Sequence, residues 1–416
     1  MPEPGTTENK DLDAWLTYID QQHPASIDMG LERFTKVLHD LGLGQPAPVV
    51  ITIAGTNGKG STVRVIESLL CQAGKRVGAT LSPHIWRFNE RIRIDGADAS
   101  DKTICAAFAA IDAARGDMPL TYFEFSALAA LYCMAQAEVD VAILEIGLGG
   151  RLDAFNAIDA DVAVITSIGL DHQAFLGDTR EAIGYEKAGI LRRNQRVVLG
   201  QDMPNSVDKQ CQELDLQPQR WGRQFASLDL GDGEHWQYQR ADADPITIPL
   251  THLAPHNIAL ACEAVAPWVD ASASVIQACS AQQMPGRMDI RRVDQRVWVH
   301  DVCHNPHGAE FFMAELARRR ITPAFFICAM LAGKDHKGFF EAVNAATESP
   351  VSWLCLPSTG ERGIAASELA EHFGQPDCVA QNMTQAKKMA LERTQVGEAI
   401  VVFGSFSAVE QCPWLA

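Results

Sequence analysis

The segment Ala54-Gly55-Thr56-Asn57-Gly58-Lys59-Gly60-Ser61 concentrates residue types that grip phosphate. Its glycines let backbone N–H groups approach an anion without Cβ clashes. A helix predicted to follow aims its positive end at the same point. Lys59 is placed to reach the outer phosphates of a nucleotide, and Ser61 to offer its hydroxyl to Mg²⁺. The strict phosphate-loop pattern is not met, because Ile53 stands where its first glycine belongs and Gly60 follows the lysine in place of Ser or Thr. The strand–turn–helix context favours ATP over a plain glycine-rich turn.

The elements that must hold this loop are short, nearly continuous apolar runs separated by longer amphipathic stretches. Val49–Ala54, Arg76–Leu81, Val139–Ile146, Ala160–Ile168 and Arg196–Leu199 read as strands covered on both faces. Ser61–Ala73, Phe123–Ala137 and Thr179–Arg192 read as helices between them, and Leu12–Gln22 and Gly30–Leu41 as two helices ahead of the first strand. This alternation predicts an α/β phosphate-loop ATPase domain with a mostly parallel sheet. Ser82, Glu145 and His172 each fall at or just beyond the C-terminal end of a predicted strand, the edge where open α/β sheets bind ligands. A carboxylate and hydroxyls there suit Mg²⁺, whereas His is a less usual ligand for so hard a cation.

From about Gln212 to Thr251 polar residues, Gly and Asp dominate, with Trp236–Gln239 and Ile246–Leu250 as short strands of a small antiparallel sheet. A helix over Asn257–Trp268 follows. A second, smaller Rossmann-like α/β series then runs through Val297–Asp301, Ala324–Met330, Val351–Leu356 and Ala399–Phe403. The boundary is expected between Gly286 and Arg296, giving domains at 1–288 and 296–416. No Gly-x-Gly-x-x-Gly follows a strand in the second series, so no second nucleotide fingerprint is present.

The 416 residues carry 35 Lys and Arg against 52 Asp and Glu, a formal charge of −17. That balance argues against a broad basic face for nucleic acid and leaves room for anionic small substrates in a locally positive pocket. The longest apolar runs, such as Ala324 to Ala332, reach about half of the ~20 residues a membrane span needs. No secretory signal is readable from Met1 to Lys10. Eleven cysteines without a Cys-x-x-Cys pair read as reduced core filler, which implies a cytoplasmic protein.

Gly55–Ser61 resembles the loop of the Mur ligase superfamily, and within it that of the folylpolyglutamate synthase and dihydrofolate synthase family. Seven further segments match in order: Leu81–His84, Thr121–Glu124, Glu145–Ala154, Thr166–His172, Glu186–Ile190, Pro285–Arg287 and Asp301–His307. The resemblance implies an ATP-dependent amide ligase in which ATP lies on Gly55, Thr56, Asn57, Gly58, Lys59, Gly60 and Ser61 and is reached also by Asn257, Arg287 and Asp301 across a closing cleft. It assigns Mg²⁺ to Ser61, Ser82, Glu145, His172 and a carbamylated Lys187, making Lys59, Glu145, His172 and Lys187 the catalytic set. From the residues alone, Lys187 reads as a surface lysine in a salt bridge, and Asp301 to His307 as an ordinary strand–turn–helix corner.

The resemblance also implies a pterin pocket formed by Asp28, Met29 and Gly30, by Thr121, Tyr122, Phe123 and Glu124, and by Leu152, Asp153 and Ala154. Aromatic Tyr122 and Phe123 suit a flat heterocycle and Glu124 can accept from ring nitrogens, although the same stretch also reads as a plain helix start. His304, Asn305 and His307 are left as cleft residues of the second domain. One departure is Phe155, where the family commonly has Thr before Asn156. The implied partners are dihydropteroate or a folate, L-glutamate and ATP, acting on a monomer without nucleic acid or membrane. Alternative readings are another Mur-type amino-acid ligase, such as one building peptidoglycan precursors, and a regulatory ATPase that joins nothing. Arg87, Arg91 and Arg93 admit two readings, an anion-binding cluster or a solvated strand face.

Overall fold

The computed structural model describes residues 10–25, 27–347, 350–360, 362–375 and 377–415; most of the polar segment Met1–Lys10 lies outside them. Sixteen strands form among these residues. The first eight are β1 (Val49–Ala54), β2 (Val77–Thr80), β3 (Ile92–Ile94), β4 (Ala97–Asp98), β5 (Val141–Glu145), β6 (Val162–Ile165), β7 (Arg196–Leu199) and β8 (Gln219–Arg220). They make one sheet in the order β4-β3-β2-β5-β1-β6-β7-β8. All its pairings are parallel except those of β3 with β2 and with β4. β1 is central because its run Val-Val-Ile-Thr-Ile-Ala is apolar on both faces, and it pairs with β5 on one side and β6 on the other.

β6 ends at Ile165, three residues short of the sequence expectation. The following backbone is taken by the phosphate loop: Thr166 N donates to Ala54 O and Thr56 N to Ser167 O, both within 2.9 Å. His172 therefore lies seven residues beyond its strand, on an irregular loop. Helices Lys59–Gln72 and Tyr122–Gln136 cover the sheet, the second opened by a capping box in which Thr121 and Glu124 satisfy each other's backbone N–H groups.

The chain divides into two compact units. The first runs to Ile168 and takes in Glu181–Arg223 and Leu260–Ala271; the second comprises Gly169–Arg180, Gln224–Ala259 and the residues from Ser272 on. The second unit holds an antiparallel sheet of β9 (Phe225–Asp229), β10 (His235–Arg240) and β11 (Ala243–Pro249). It also holds a five-stranded sheet of β12 (Asp289–Val293), β13 (Arg296–His300), β14 (Pro323–Cys328), β15 (Ser352–Cys355) and β16 (Ala399–Phe403), in the order β12-β13-β16-β14-β15. β12 occupies most of the expected boundary segment and pairs antiparallel with β13; the remaining pairings are parallel. Its core is aromatic, with Phe326, Phe339 and Trp353 all within 5.5 Å of the Phe403 ring.

The fold class is thus the expected one, a phosphate-loop domain with a mostly parallel sheet and a smaller Rossmann-like α/β domain. All eleven cysteines are free, eight of them buried. No helix among the described residues is long and apolar enough to cross a membrane.

Candidate active site

The phosphate loop is shaped by two glycines. A Cβ on Gly55 would lie 1.9 Å from Thr166 Oγ1, so only glycine fits where that hydroxyl also donates to Asn57 O at 2.6 Å. Gly58 caps the helix in the left-handed region, at φ 83°. Lys59 and Ser61 occupy the first turn of this helix. The amines of Lys59 and Lys187 both donate to the Gly55 carbonyl oxygen, at 3.1 and 3.0 Å.

Lys187 is buried, only 4% exposed, and its distance from the loop is set by backbone packing. Arg151 N donates to Glu186 O at 2.8 Å. A Cβ on Gly150 would collide with that same Glu186 oxygen at 2.7 Å. The Gly149-Gly150 pair therefore lets one loop lie directly on the helix end that carries Lys187. This burial is incompatible with the surface-lysine reading.

Glu145 ends β5 and is 3% exposed. Its backbone N–H donates to Thr80 Oγ1, and its Oε2 accepts from Ser82 N, both at 2.8 Å. A Cβ on Gly60 would stand 3.7 Å from its carboxylate oxygens, which puts the acid beside the first turn of the phosphate-loop helix. Among the described residues, no three His, Cys, Asp or Glu side chains gather as a metal site. The buried Glu145 carboxylate and the hydroxyls of Ser61 and Ser82 are oxygen donors of the kind a hard divalent ion takes.

A pocket opens beside these groups, with Ser82, Arg91, Phe123, Glu145 and Phe155 in its wall. Phe155 is buried and meets Phe123 edge to face, ring centroids 5.8 Å apart. Gly147 must be glycine because a Cβ would strike the Phe123 ring at 2.6 Å. On the far side Arg91 Nε donates to His84 Nδ1 at 2.7 Å. Burial, reinforced by the Arg91 charge, pushes the His84 imidazole down to about 4.

The expected pterin residues are brought together in part. Asp153 Oδ2 accepts from the backbone of Gly147 and Leu148 and its Oδ1 from Phe155, all at 3.0 Å. This carboxylate shapes the loop that carries Leu152 and Ala154, and burial pushes it up to about 6 against the pull of those N–H groups. Glu124 is engaged by Thr121 N and Oγ1 and by Arg33 Nε, all within 3.0 Å. Arg33 also holds the Asp28 carboxylate at 2.5 Å and its carbonyl, and so fixes the Asp28–Gly30 segment to the start of the Tyr122 helix. Sequence reasoning missed Arg33; the only signal was its position one turn into the predicted helix Gly30–Leu41, beside the implied pterin residues Asp28–Gly30.

In the second unit Asp301 follows β13. Its carboxylate accepts from Met288 N at 2.9 Å and Cys303 N at 2.8 Å, and burial raises its pKa despite nearby Arg287. The Arg287 guanidinium lies over the Phe406 ring at 5.0 Å. Asn257 is buried in the first turn of the helix Pro255–Val265. Asn305 caps the helix Pro306–Arg318 by accepting from Gly308 N at 2.7 Å.

Asn305 Nδ2 also donates to Asp171, at 3.0 Å, as do His304 Nε2 at 3.1 Å and Lys334 Nζ at 2.6 Å. Burial works against the Asp171 carboxylate. The His304 hydrogen bond and the charges of His304, Lys334 and His172 outweigh it and hold its pKa well below the usual range. His172 stands next to it in the left-handed region, its Nε2 3.4 Å from Lys334 Nζ. His307 packs where Gly169 leaves no room for a Cβ. Lys334 carried no motif and was not singled out in the sequence.

Comparison with known proteins gives the class first. Residues 53–220 match the Mur ligase middle domain and residues 286–406 the Mur ligase, glutamate ligase domain. The chain is 39% identical to the dihydrofolate synthase/folylpolyglutamate synthase of Escherichia coli K12, over 96% of this chain and 94% of that one. The solved structure of E. coli FolC in complex with DHPP and ADP superposes with a TM-score of 0.88 at 38% identity, covering 96% of each chain. A bifunctional folylpolyglutamate synthase/dihydrofolate synthase with Mn, AMPPNP and L-glutamate bound gives 0.87 at 38%, over 97% of each. The chain belongs to the dihydrofolate synthase/folylpolyglutamate synthase family of Mur ligases, as an ATP-dependent ligase that works with a divalent metal.

Proposed function

We propose that this ligase joins the amino group of L-glutamate to the carboxylate of dihydropteroate, to that of a reduced folate already carrying glutamate, or to each in turn. A carboxylate oxygen attacks the γ-phosphorus of ATP and the bond to the bridging oxygen of ADP breaks. The glutamate nitrogen then attacks the acyl carbon, phosphate leaves with the electron pair of the C–O bond, and the amine gives up its proton. The observation that carries this reading is the pocket that sets aromatic Phe123 and Phe155 beside Ser82 and Glu145, at the first turn of the phosphate-loop helix.

Loop amides of Gly55 to Gly60 and the Lys59 amine hold the triphosphate, with Asn257, Arg287 and Asp301 as its further contacts. A divalent cation, when bound, supplies charge neutralisation on the phosphates. Ser61, Ser82, Glu145, His172 and a carbamylated Lys187 are assigned to hold it. Asp28–Gly30, Thr121–Glu124 and Leu152–Ala154 are assigned to the pterin, and His304, Asn305 and His307 to the second domain's share of the site. We assign the domains to 1–288 and 296–416, and the working form to a cytoplasmic monomer.

ADP release measured with dihydropteroate or with tetrahydrofolate, each with and without L-glutamate, tests the reading. Stimulation that needs both the acid and glutamate supports it. Release that ignores glutamate and every pteroate compound sinks it in favour of a regulatory ATPase. Lys59→Ala is expected to lower turnover by at least about 100-fold, the scale of losing one charge-stabilising donor, with the thermal midpoint unchanged; retained turnover removes the loop from the mechanism.

A further inference from the structure

Three arginines lie within seven residues around β3, and the fold treats one of them differently. Arg87 meets Asp101 at 3.0 Å. Arg93 meets Glu67 at 3.0 Å and also Asp98. Arg91 has no carboxylate within ion-pair distance among the described residues; Glu145 and Glu90 act on it only from farther away. Its one hydrogen bond runs from Nε to His84 Nδ1. A guanidinium only donates, so that nitrogen is an acceptor and contributes no negative charge. The rings of Phe88 and Tyr122 lie 5.8 and 5.5 Å from the guanidinium carbon, so cation–π contact replaces part of the lost hydration.

Arg91 is half-buried with only a neutral hydrogen-bond partner, and the arrangement is most favourable when an anion completes it. Both Nη groups lack an acceptor among the described residues, and such a pair of parallel donors matches the two oxygens of a carboxylate. The residues lining the small pocket beside Arg91 are of the types that recognise an aryl acid. The Phe123 and Phe155 rings form an aromatic wall, Ala127 and Ala130 an apolar floor, and Ser82 and Glu145 lie in the same wall. Phosphate has its own cradle in the loop amides, which leaves the carboxylate as the anion to be placed.

We propose that Arg91 is a catalytic residue whose guanidinium binds the substrate carboxylate that becomes phosphorylated, with His84 as the residue that positions it. This rests on the function proposed above and adds the group that holds the acid. Charge on the carboxylate is offset while it approaches an anionic triphosphate, and the same donors stay with the acyl oxygen once the phosphoryl group has transferred.

The test compares binding of a pteroate with that of the same pterin–arylamine lacking its carboxylate, to wild type, Arg91→Met and Arg91→Lys, alongside kcat and KM. Wild type is expected to prefer the acid by about 30-fold, the scale of a charge-assisted hydrogen-bond pair. Arg91→Met should erase that preference while leaving affinity for the decarboxylated compound and KM for ATP unchanged, and Arg91→Lys should fall between. An undiminished preference in either variant overturns the assignment, as does equal loss of both ligands in the folded Lys variant. Failure of the wild type itself to consume ATP with any pteroate or folate acid defeats the functional reading, and this assignment with it.

Discussion

His84 and His300 are two imidazoles, one in each unit, the first half-buried and the second fully buried, and desolvation pushes both down to about 4. His300 sits inside the second unit, where its Nδ1–H donates to Asp289 O at 3.0 Å and its Nε2 accepts from Trp414 Nε1 at 3.1 Å. Every hydrogen-bonding atom of the ring is used and no charge is left over. His84 accepts instead from Arg91, a cation whose remaining donors face a pocket. The same perturbed titration accompanies a structural peg in one place and a ligand-facing corner in the other. A shifted pKa therefore marks burial, and what distinguishes a site is the charge left uncompensated next to it.

The largest test of that contrast is acid stability. The unfolded chain protonates His300 near its ordinary 6.5 before the folded protein does. Its contribution is therefore full above that pH and is lost as the pH falls from about 6.5 to 4, by up to about 3 kcal/mol. Urea unfolding followed through Trp fluorescence should show this slope in wild type and a flatter one in His300→Phe. Equal slopes would mean that the ring is not held neutral.

A smaller effect is expected at the other imidazole. His84→Ala removes the acceptor that aims Arg91 and should lower kcat/KM for the acid substrate about 10-fold, with stability changed by less than about 1 kcal/mol. His84→Asn, which restores an oxygen near the Nδ1 position, should recover most of the loss; no recovery would break the positioning role. Trp414→Phe should cost about 1 kcal/mol of stability, one hydrogen bond to a buried acceptor, and leave ligation untouched. Least affected is Asp98→Asn beside Arg93. It should change the unfolding free energy by less than about 1 kcal/mol and change no kinetic constant, because Glu67 still pairs that arginine.

Much of this was legible because the signals are local. The phosphate loop is a contiguous strand, turn and helix, and β1, β7 and β16 run over the residues their apolar composition predicts. Glu145 was placed from the end of its strand. Less legible was anything decided by partners distant in sequence. Arg87, Arg91 and Arg93 look alike in the chain, and only folding brings Asp101, Glu67 and Asp98 to two of them. Glu124 reads as a ligand acceptor until Arg33, 91 residues away, is found on it. Asp171 gathers Lys334 from 163 residues downstream, a contact no spacing rule contains. The early stop of β6 was hidden for a related reason, since β1 ends at Ala54, whose carbonyl accepts from Thr166, and the next residue, Ser167, accepts from Thr56 in the phosphate loop.

The eight-stranded sheet closes at both margins on strands of only two residues, Ala97–Asp98 and Gln219–Arg220. Each outer rung carries a charged side chain and too few free backbone groups to template another strand. A parallel sheet of this size folds slowly and displays unpaired edges while it does so. Short charged margins, together with a surface that repels its own copies through 17 excess negative charges, give this sheet a built-in resistance to edge-to-edge aggregation during folding.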